Sequence, residues 1–293
     1  MLWSPRMSPW LAGFIALLQG STELFPVSSL GHAVVVPSLL HLDFRPTEES
    51  FVPFLVLLHL GTAAALLLLY REQWLRIVAG FLRASVRGRV EDADERLALL
   101  IVVGTIPTGI VGFFLEHPLK SLFANPRAAG AFLLVNACIL LGAELLRRRD
   151  ERRAELDSDR GEAREAAYRS VENLDVRSAL MVGACQCLAL MPGISRAGVT
   201  MAGGLVAGLR HQEAARFSFL LATPIILAAG VLEVPQLFAS GVPLGTYMAA
   251  TVLSGVVAYL SARFLIRYFR SGRLDPFAAY CAALGIVTLA LAR

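Results

Sequence analysis

The sequence predicts an all-α polytopic membrane protein with six transmembrane helices and two re-entrant helical hairpins in an inverted-topology repeat. Three observations carry this. The chain of 293 residues is 56% hydrophobic and only 17% charged, whereas soluble domains usually carry roughly 25% charged residues. Its charges are clustered, leaving apolar stretches that approach the ~20 residues needed to cross a bilayer. Two further apolar regions are interrupted midway by Pro, Gly, Ser and ionisable side chains.

The elements follow in order. The first interrupted region covers about 9–42. Arg6 is the only early charge and no small-residue cleavage site precedes the polar string, so this segment is expected to stay in the mature protein. Full spans are expected near 51–70, 97–117 and 127–146. A connector over about 147–177 mixes arginines with Asp150, Glu151, Glu155, Asp157, Asp159, Glu162 and Glu165 and reads as a solvated, partly helical linker. The second interrupted region lies at about 178–209, and spans are expected near 214–233, 244–266 and 275–292. Each half of an interrupted region is too short to cross comfortably. That suggests a hairpin with non-helical backbone lining a cavity at membrane depth; two kinked spans are the alternative. The four cysteines all lie in apolar segments and read as small packing residues, with no disulfide framework or zinc spacing.

Arginines set the orientation. Arg71, Arg76, Arg83, Arg87, Arg89 and Arg96, the connector arginines, Arg210 and Arg216, and Arg263, Arg267, Arg270 and Arg273 all fall on one side of these spans. The other side keeps Arg6, Arg45, Lys120, Arg127 and Arg293. The first set is therefore cytoplasmic, and both termini are expected outside. The net charge of +4 reflects loop arginines facing a membrane surface rather than nucleic acid.

The connector divides one integral membrane domain, 1–293, into repeat 1 (about 9–146) and repeat 2 (about 178–292). Gln19 precedes Phe51 by 32 residues and Gln186 precedes Phe217 by 31. Three spans per half is an odd number, so the second half is inverted relative to the first, and the site is expected near the midplane where the repeats meet. The hairpins enter from opposite sides and their tips are expected to touch.

Those tips carry the chemistry. The first reads Gln19-Gly20-Ser21-Thr22-Glu23-Leu24-Phe25-Pro26-Val27-Ser28-Ser29-Leu30-Gly31-His32, the second Pro192-Gly193-Ile194-Ser195-Arg196-Ala197-Gly198-Val199-Thr200. Ionisable groups in hydrocarbon need partners or a water-filled cavity. Ser28 and Ser29 are hydroxyl nucleophiles in need of a base. His32, three residues after Ser29, is a proton carrier by type. Glu23 is suited to orienting His32, activating a serine or binding a divalent cation. Gln19 shares its helical face. Arg196 offers a planar fork for phosphate oxygens, Gly193 and Gly198 let backbone N–H groups approach an anion, and Ser195 and Thr200 add donors. Together these match what phosphoryl transfer requires, which is mostly charge neutralisation and positioning. Singly, each has a plainer reading: serines and threonines bond within membrane helices, and His59 pairs with a neighbour.

Gln19-x-x-x-Glu23 followed by Pro26-Val27-Ser28-Ser29-x-Gly31-His32, together with Pro192-Gly193-Ile194-Ser195-Arg196, resembles the two signatures of the bacterial undecaprenyl-diphosphatase family, the bacitracin-resistance type. Leu60-Gly61-Thr62, Thr105-Ile106-Pro107 and Phe217-Ser218-Phe219-Leu220-Leu221 fit as well, so the resemblance runs over nearly the whole chain. It implies hydrolysis of undecaprenyl pyrophosphate to undecaprenyl phosphate at the outer face of the bacterial plasma membrane, which recycles the carrier for cell-wall polymers. It also implies a divalent cation, Mg2+ or Ca2+, with Glu23 as the candidate ligand, and no organic cofactor. By position Glu23, Ser29, His32 and Arg196 match the catalytic residues; Gln19, Ser28, Gly193, Ser195 and Thr200 are candidates for holding substrate. Expected partners are the prenyl pyrophosphate lipid and the bilayer, without nucleic acid; a homodimer is left open. Two positions depart from the pattern: the first acidic position is Gln19, which cannot act as a base, and the usual serine after the arginine is Ala197. A flippase for the lipid phosphate is the alternative function.

Overall fold

The structure, a computed structural model, describes residues 8–42, 51–120, 125–157, 168–239 and 244–292. Among these it is helical, with one isolated bridge between Arg169 and Leu209. Arg6, Arg45 and Arg293, used above for orientation, lie outside the described residues, as do Asp159, Glu162 and Glu165.

Each interrupted region folds as two short helices. The first gives α1 (Pro9–Thr22) and α2 (Ser29–Leu39). Pro9 starts α1 behind the Ser8 cap, where a missing N–H costs nothing. The second gives α7 (Val176–Gln186), capped by Asp175, and α8 (Arg196–Val206), capped by Ser195. At 1.5 Å per residue these arms are only about 16–21 Å long.

The long helices match the expected spans: α3 (Phe51–Leu69), α5 (Ala93–Lys120), α6 (Pro126–Asp157), α9 (His211–Ala239), α10 (Leu244–Tyr268) and α11 (Asp275–Leu291). Five are long and apolar enough to cross a membrane; α11 has 17 residues. Phe114, Val231, Val252, Phe264 and Ile286 are exposed on their outer faces, an apolar surface suited to lipid. The protein is thus a multi-pass membrane protein.

The packing exchanges equivalent elements between the halves. The first spans, α3 and α9, pack together, as do the third spans, α6 and α11. The leading hairpin arm of each half packs on the second span of the other: α1 on α10, α7 on α5. Glycine permits both of these contacts. A Cβ on Gly20 would lie 3.1 Å from the Ser254 carbonyl carbon, and one on Gly183 would lie 2.9 Å from that of Gly104.

One region differs from expectation. The arginine-rich loop after α3 is largely a helix, α4 (Arg71–Arg87), ended by Gly88 at φ 70°. It is amphipathic in three stripes. Gln73, Ile77 and Gly80 are buried, Leu75, Val78 and Phe81 are exposed, and Arg83 pairs with Asp92 at 2.8 Å and Glu95 at 3.3 Å. The connector is helical up to Asp157 and largely exposed where it is described, at Arg149, Asp150, Arg152, Arg153, Asp175 and Arg177 among others. Just before it, at the end of the third span, Glu144 is 0% exposed and meets Nε2 of His211 (2.8 Å), the Leu274 N–H (3.2 Å) and Arg273 (3.0 Å). Arg147 is buried with its guanidinium 4.2 Å from the Tyr168 ring centre, and Val171 and Leu174 are buried. Glu144 is thus buried with partners on opposing helix ends, which offsets its loss of water.

Candidate active site

The hairpin tips meet. Ser28 caps α2: its Oγ accepts from the N–H of Gly31, three residues on, at 3.2 Å. Ser195 caps α8 in the same way, accepting from Gly198 N–H at 3.1 Å. Ser28 Oγ also accepts from Gly193 N–H of the opposite tip at 3.2 Å, and Ser195 Oγ donates to the Phe25 carbonyl at 3.2 Å. Two helix N-termini, each a positive dipole end with orphan N–H groups, are thereby brought together, and such ends favour anions.

The first residue of each helix carries a polar side chain that reaches Glu23. Ser29 opens α2 and donates its hydroxyl proton to Glu23 Oε2. Arg196 opens α8 and donates through Nη2 to Glu23 Oε1 at 2.9 Å and through Nη1 to the Ser218 carbonyl at 3.3 Å. These bonds use two of its five N–H groups and leave the rest of the fork for an anion. A nucleophile against a buried acceptor, with a guanidinium on the far oxygen, is the arrangement that activates a serine.

A cavity of about 410 Å³ opens beside them. Glu23, Ser28, Ser29, Ser195 and Arg196 line its polar end; Leu55, Val56, Phe113, Ile225, Ala229 and Leu232 make the rest largely apolar. Its walls suit a ligand with an anionic head and a hydrocarbon tail.

The family model for bacitracin resistance protein BacA matches residues 12–287. The chain belongs to the BacA family. Among its relatives is a protein of Acidiphilium cryptum, 47% identical over 292 residues, covering 97% of this chain and 98% of the relative. One of Mycobacterium avium is 47% identical, covering 94% of each. One of Burkholderia pseudomallei is 45% identical, covering 97% and 96%. The first two are named undecaprenyl-diphosphatase and the third undecaprenyl-diphosphatase 1.

In this BacA family member the other candidates fall outside the cavity. His32 does not reach Ser29 or Glu23, contrary to expectation. Its Nδ1 is 2.6 Å from the Ser28 carbonyl and its Nε2 2.8 Å from the Tyr280 hydroxyl. A carbonyl only accepts, so Nδ1 carries the proton and Nε2 accepts from Tyr280. The ring thus pins Ser28, whose backbone is held at φ 70°, an unfavourable region for serine. Gln19 faces away from the cavity as well: its Oε1 accepts from Ser254, and its Nε2 lies 3.4 Å from Thr62 Oγ1. Thr200 bonds the Arg196 carbonyl at 2.7 Å and Ser218 Oγ at 2.5 Å. Gly193, at φ 106°, packs so tightly on α6 that a Cβ would lie 2.8 Å from Phe132 Cβ. These residues build the tips and do not line the cavity.

Two contributors escaped the sequence reading. Asn136 of α6 staples the tips, donating to the Pro26 carbonyl and accepting from Ser195 N–H, both at 3.0 Å. A buried Asn in a predicted span was the available signal. His59 of α3 places Nε2 2.9 Å from Glu23 Oε2. It was read only as a side chain paired with some neighbour, because spacing along the chain does not bring α3 to α1.

Proposed function

We propose that the protein hydrolyses undecaprenyl pyrophosphate to undecaprenyl phosphate and inorganic phosphate, the reaction its relatives' names denote. The observation that carries this reading is the Ser29–Glu23–Arg196 constellation between two helix N-termini. The pyrophosphate enters the polar end of the cavity and the prenyl tail follows the apolar wall. Ser29 Oγ attacks the terminal phosphorus and passes its proton to Glu23. The bond from that phosphorus to the bridging oxygen breaks, and its electron pair leaves with the lipid phosphate. Water then hydrolyses the phosphoserine. Arg196 and the N-terminal N–H groups neutralise the charge on the phosphoryl oxygens. His32 keeps the Ser28 turn in place.

The donor set does not favour a resident cation cage. Glu23 is already engaged by Ser29, His59 and Arg196, and no cluster of three His, Cys, Asp or Glu suited to a metal occurs among the described residues. We infer that Mg2+ or Ca2+ arrives on the pyrophosphate, whose oxygens are its natural ligands.

The wider architecture belongs to the same proposal: one domain of six spans and two re-entrant hairpins in the bacterial inner membrane, with both termini and the cavity mouth outside. The short hairpin arms and the exchanged helix pairing support it. The same pairing favours a second reading, a flippase for the lipid phosphate. Purified protein in detergent, which has no two sides, tests both. Phosphate release from prenyl pyrophosphate, lost on chelation and in Ser29→Ala, is expected; lipid movement in vesicles with no release in detergent would favour transport.

A further inference from the structure

We propose that His59 is a positioning residue of this site, holding the Glu23 carboxylate on Ser29 while the substrate occupies Arg196. The inference rests on the hydrolase reading and deepens it.

Three donors converge on Glu23, and each comes from a different element. Ser29 belongs to the first hairpin, Arg196 to the second, and His59 to α3, which is part of neither. The contacts differ in permanence. Arg196 lies on the cavity wall, and its remaining N–H groups are those an incoming phosphate takes. An anion of higher charge draws the guanidinium away from Glu23, and Ser29 leaves Glu23 when it attacks. A buried carboxylate without a donor is strongly destabilised. His59 is the donor that the reaction does not displace.

The ring is built for that and for little else. Nδ1 lies 2.6 Å from the Leu55 carbonyl, one turn back on α3. That carbonyl only accepts, so Nδ1 carries a proton; Nε2, on a carboxylate oxygen, donates as well. With both nitrogens on protein acceptors, none is left for substrate, so His59 acts through Glu23. One turn away a second rung fixes the same pair of helices. Gln19 on α1 meets Thr62 on α3, with Nε2 to Oγ1 at 3.4 Å. Gln19, which sits at the position read as the motif's first acid, thus helps to seat α3, and α3 supplies the group that steadies Glu23.

The test compares three replacements in detergent, with wild-type release as the standard. His59→Gln keeps an N–H donor near the Nε2 position; His59→Asn is too short to reach, and His59→Leu has no donor. Leu and Asn are expected to lower kcat by about 10–100-fold, the usual loss for a group that orients a reacting one. KM is expected to stay within about threefold and Gln to recover kcat to within about fivefold of wild type. Wild-type kcat in both Leu and Asn variants would overturn the proposal. So would a Gln variant as slow as the Leu one, which would mark His59 as a proton carrier. A monodisperse gel-filtration peak separates these outcomes from misfolding. The Glu23 carboxylate stretch, taken as the infrared difference between wild type and Glu23→Gln, reads the contact without turnover. It should shift in His59→Leu but not in His59→Gln, and an unmoved band in His59→Leu overturns the proposal independently. Absence of phosphate release from wild type would instead count against the hydrolase reading.

Discussion

The two hairpins are built alike and armed differently. Both bend at a proline, cap their second helix with a serine and bond that serine to a glycine N–H three residues on. At the next position one carries Ser29 and the other Arg196. The first hairpin adds Glu23 and thus brings the nucleophile and its acceptor; the second brings the positive charge. One local scaffold used twice places two helix N-termini side by side. Divergence at single positions makes the two sides of this seat chemically unlike.

The largest effect should come from removing that divergence. Ser29→Ala is expected to lower kcat by about three orders of magnitude, and Arg196→Ala by two to three, with both proteins still monodisperse. Phosphate release reads both. An unaffected Arg196→Ala would reduce the second hairpin to a scaffold.

Next comes the seam between the tips. Gly193→Ala forces a Cβ at φ 106° against α6 and is expected to cost about 1–3 kcal/mol, visible as a lower melting temperature with turnover falling alongside. The caps should separate the hairpins more finely. Ser28→Ala and Ser195→Ala each lose a cap of about 1 kcal/mol. Ser28→Ala should be the more damaging, because it orphans two N–H groups, those of Gly31 and Gly193, whereas Ser195→Ala orphans the Gly198 N–H and the Phe25 carbonyl, and an orphaned carbonyl is better tolerated. Equal melting shifts would remove that distinction. The smallest effect on chemistry is expected at Gln19. Gln19→Leu should lower stability by about 1 kcal/mol while kcat stays within about fivefold, because its amide touches Thr62 and Ser254 and not the cavity. A loss as large as that of Ser29→Ala would return Gln19 to the catalytic set.

Much of this was legible in the sequence. Interrupted hydrophobicity marked the two pairs of short helices. Glu23, Ser29 and Arg196 stood out as polar groups in apolar surroundings. His32 stood out for the same reason, yet its ring is spent on the Ser28 carbonyl and Tyr280. Polarity marks a buried polar group without saying which partner satisfies it. His59 and Asn136 were obscure for the converse reason: their partners lie 36 and 110 residues away, a pairing set by helix packing and not by local spacing. The helix α4 was hidden by its arginines, whose pairing with Asp92 and Glu95 appears only once α5 packs alongside.

The central claim is that both hairpins form one site, and a double-mutant comparison tests it most directly. Phosphate release from a purified prenyl pyrophosphate is measured for wild type, Ser29→Ala, Arg196→Ala and the double variant. Residues acting as a unit are strongly non-additive, so the double variant should be no slower than the slower single one. Losses that multiply, or wild-type release from either single variant, would contradict a shared site.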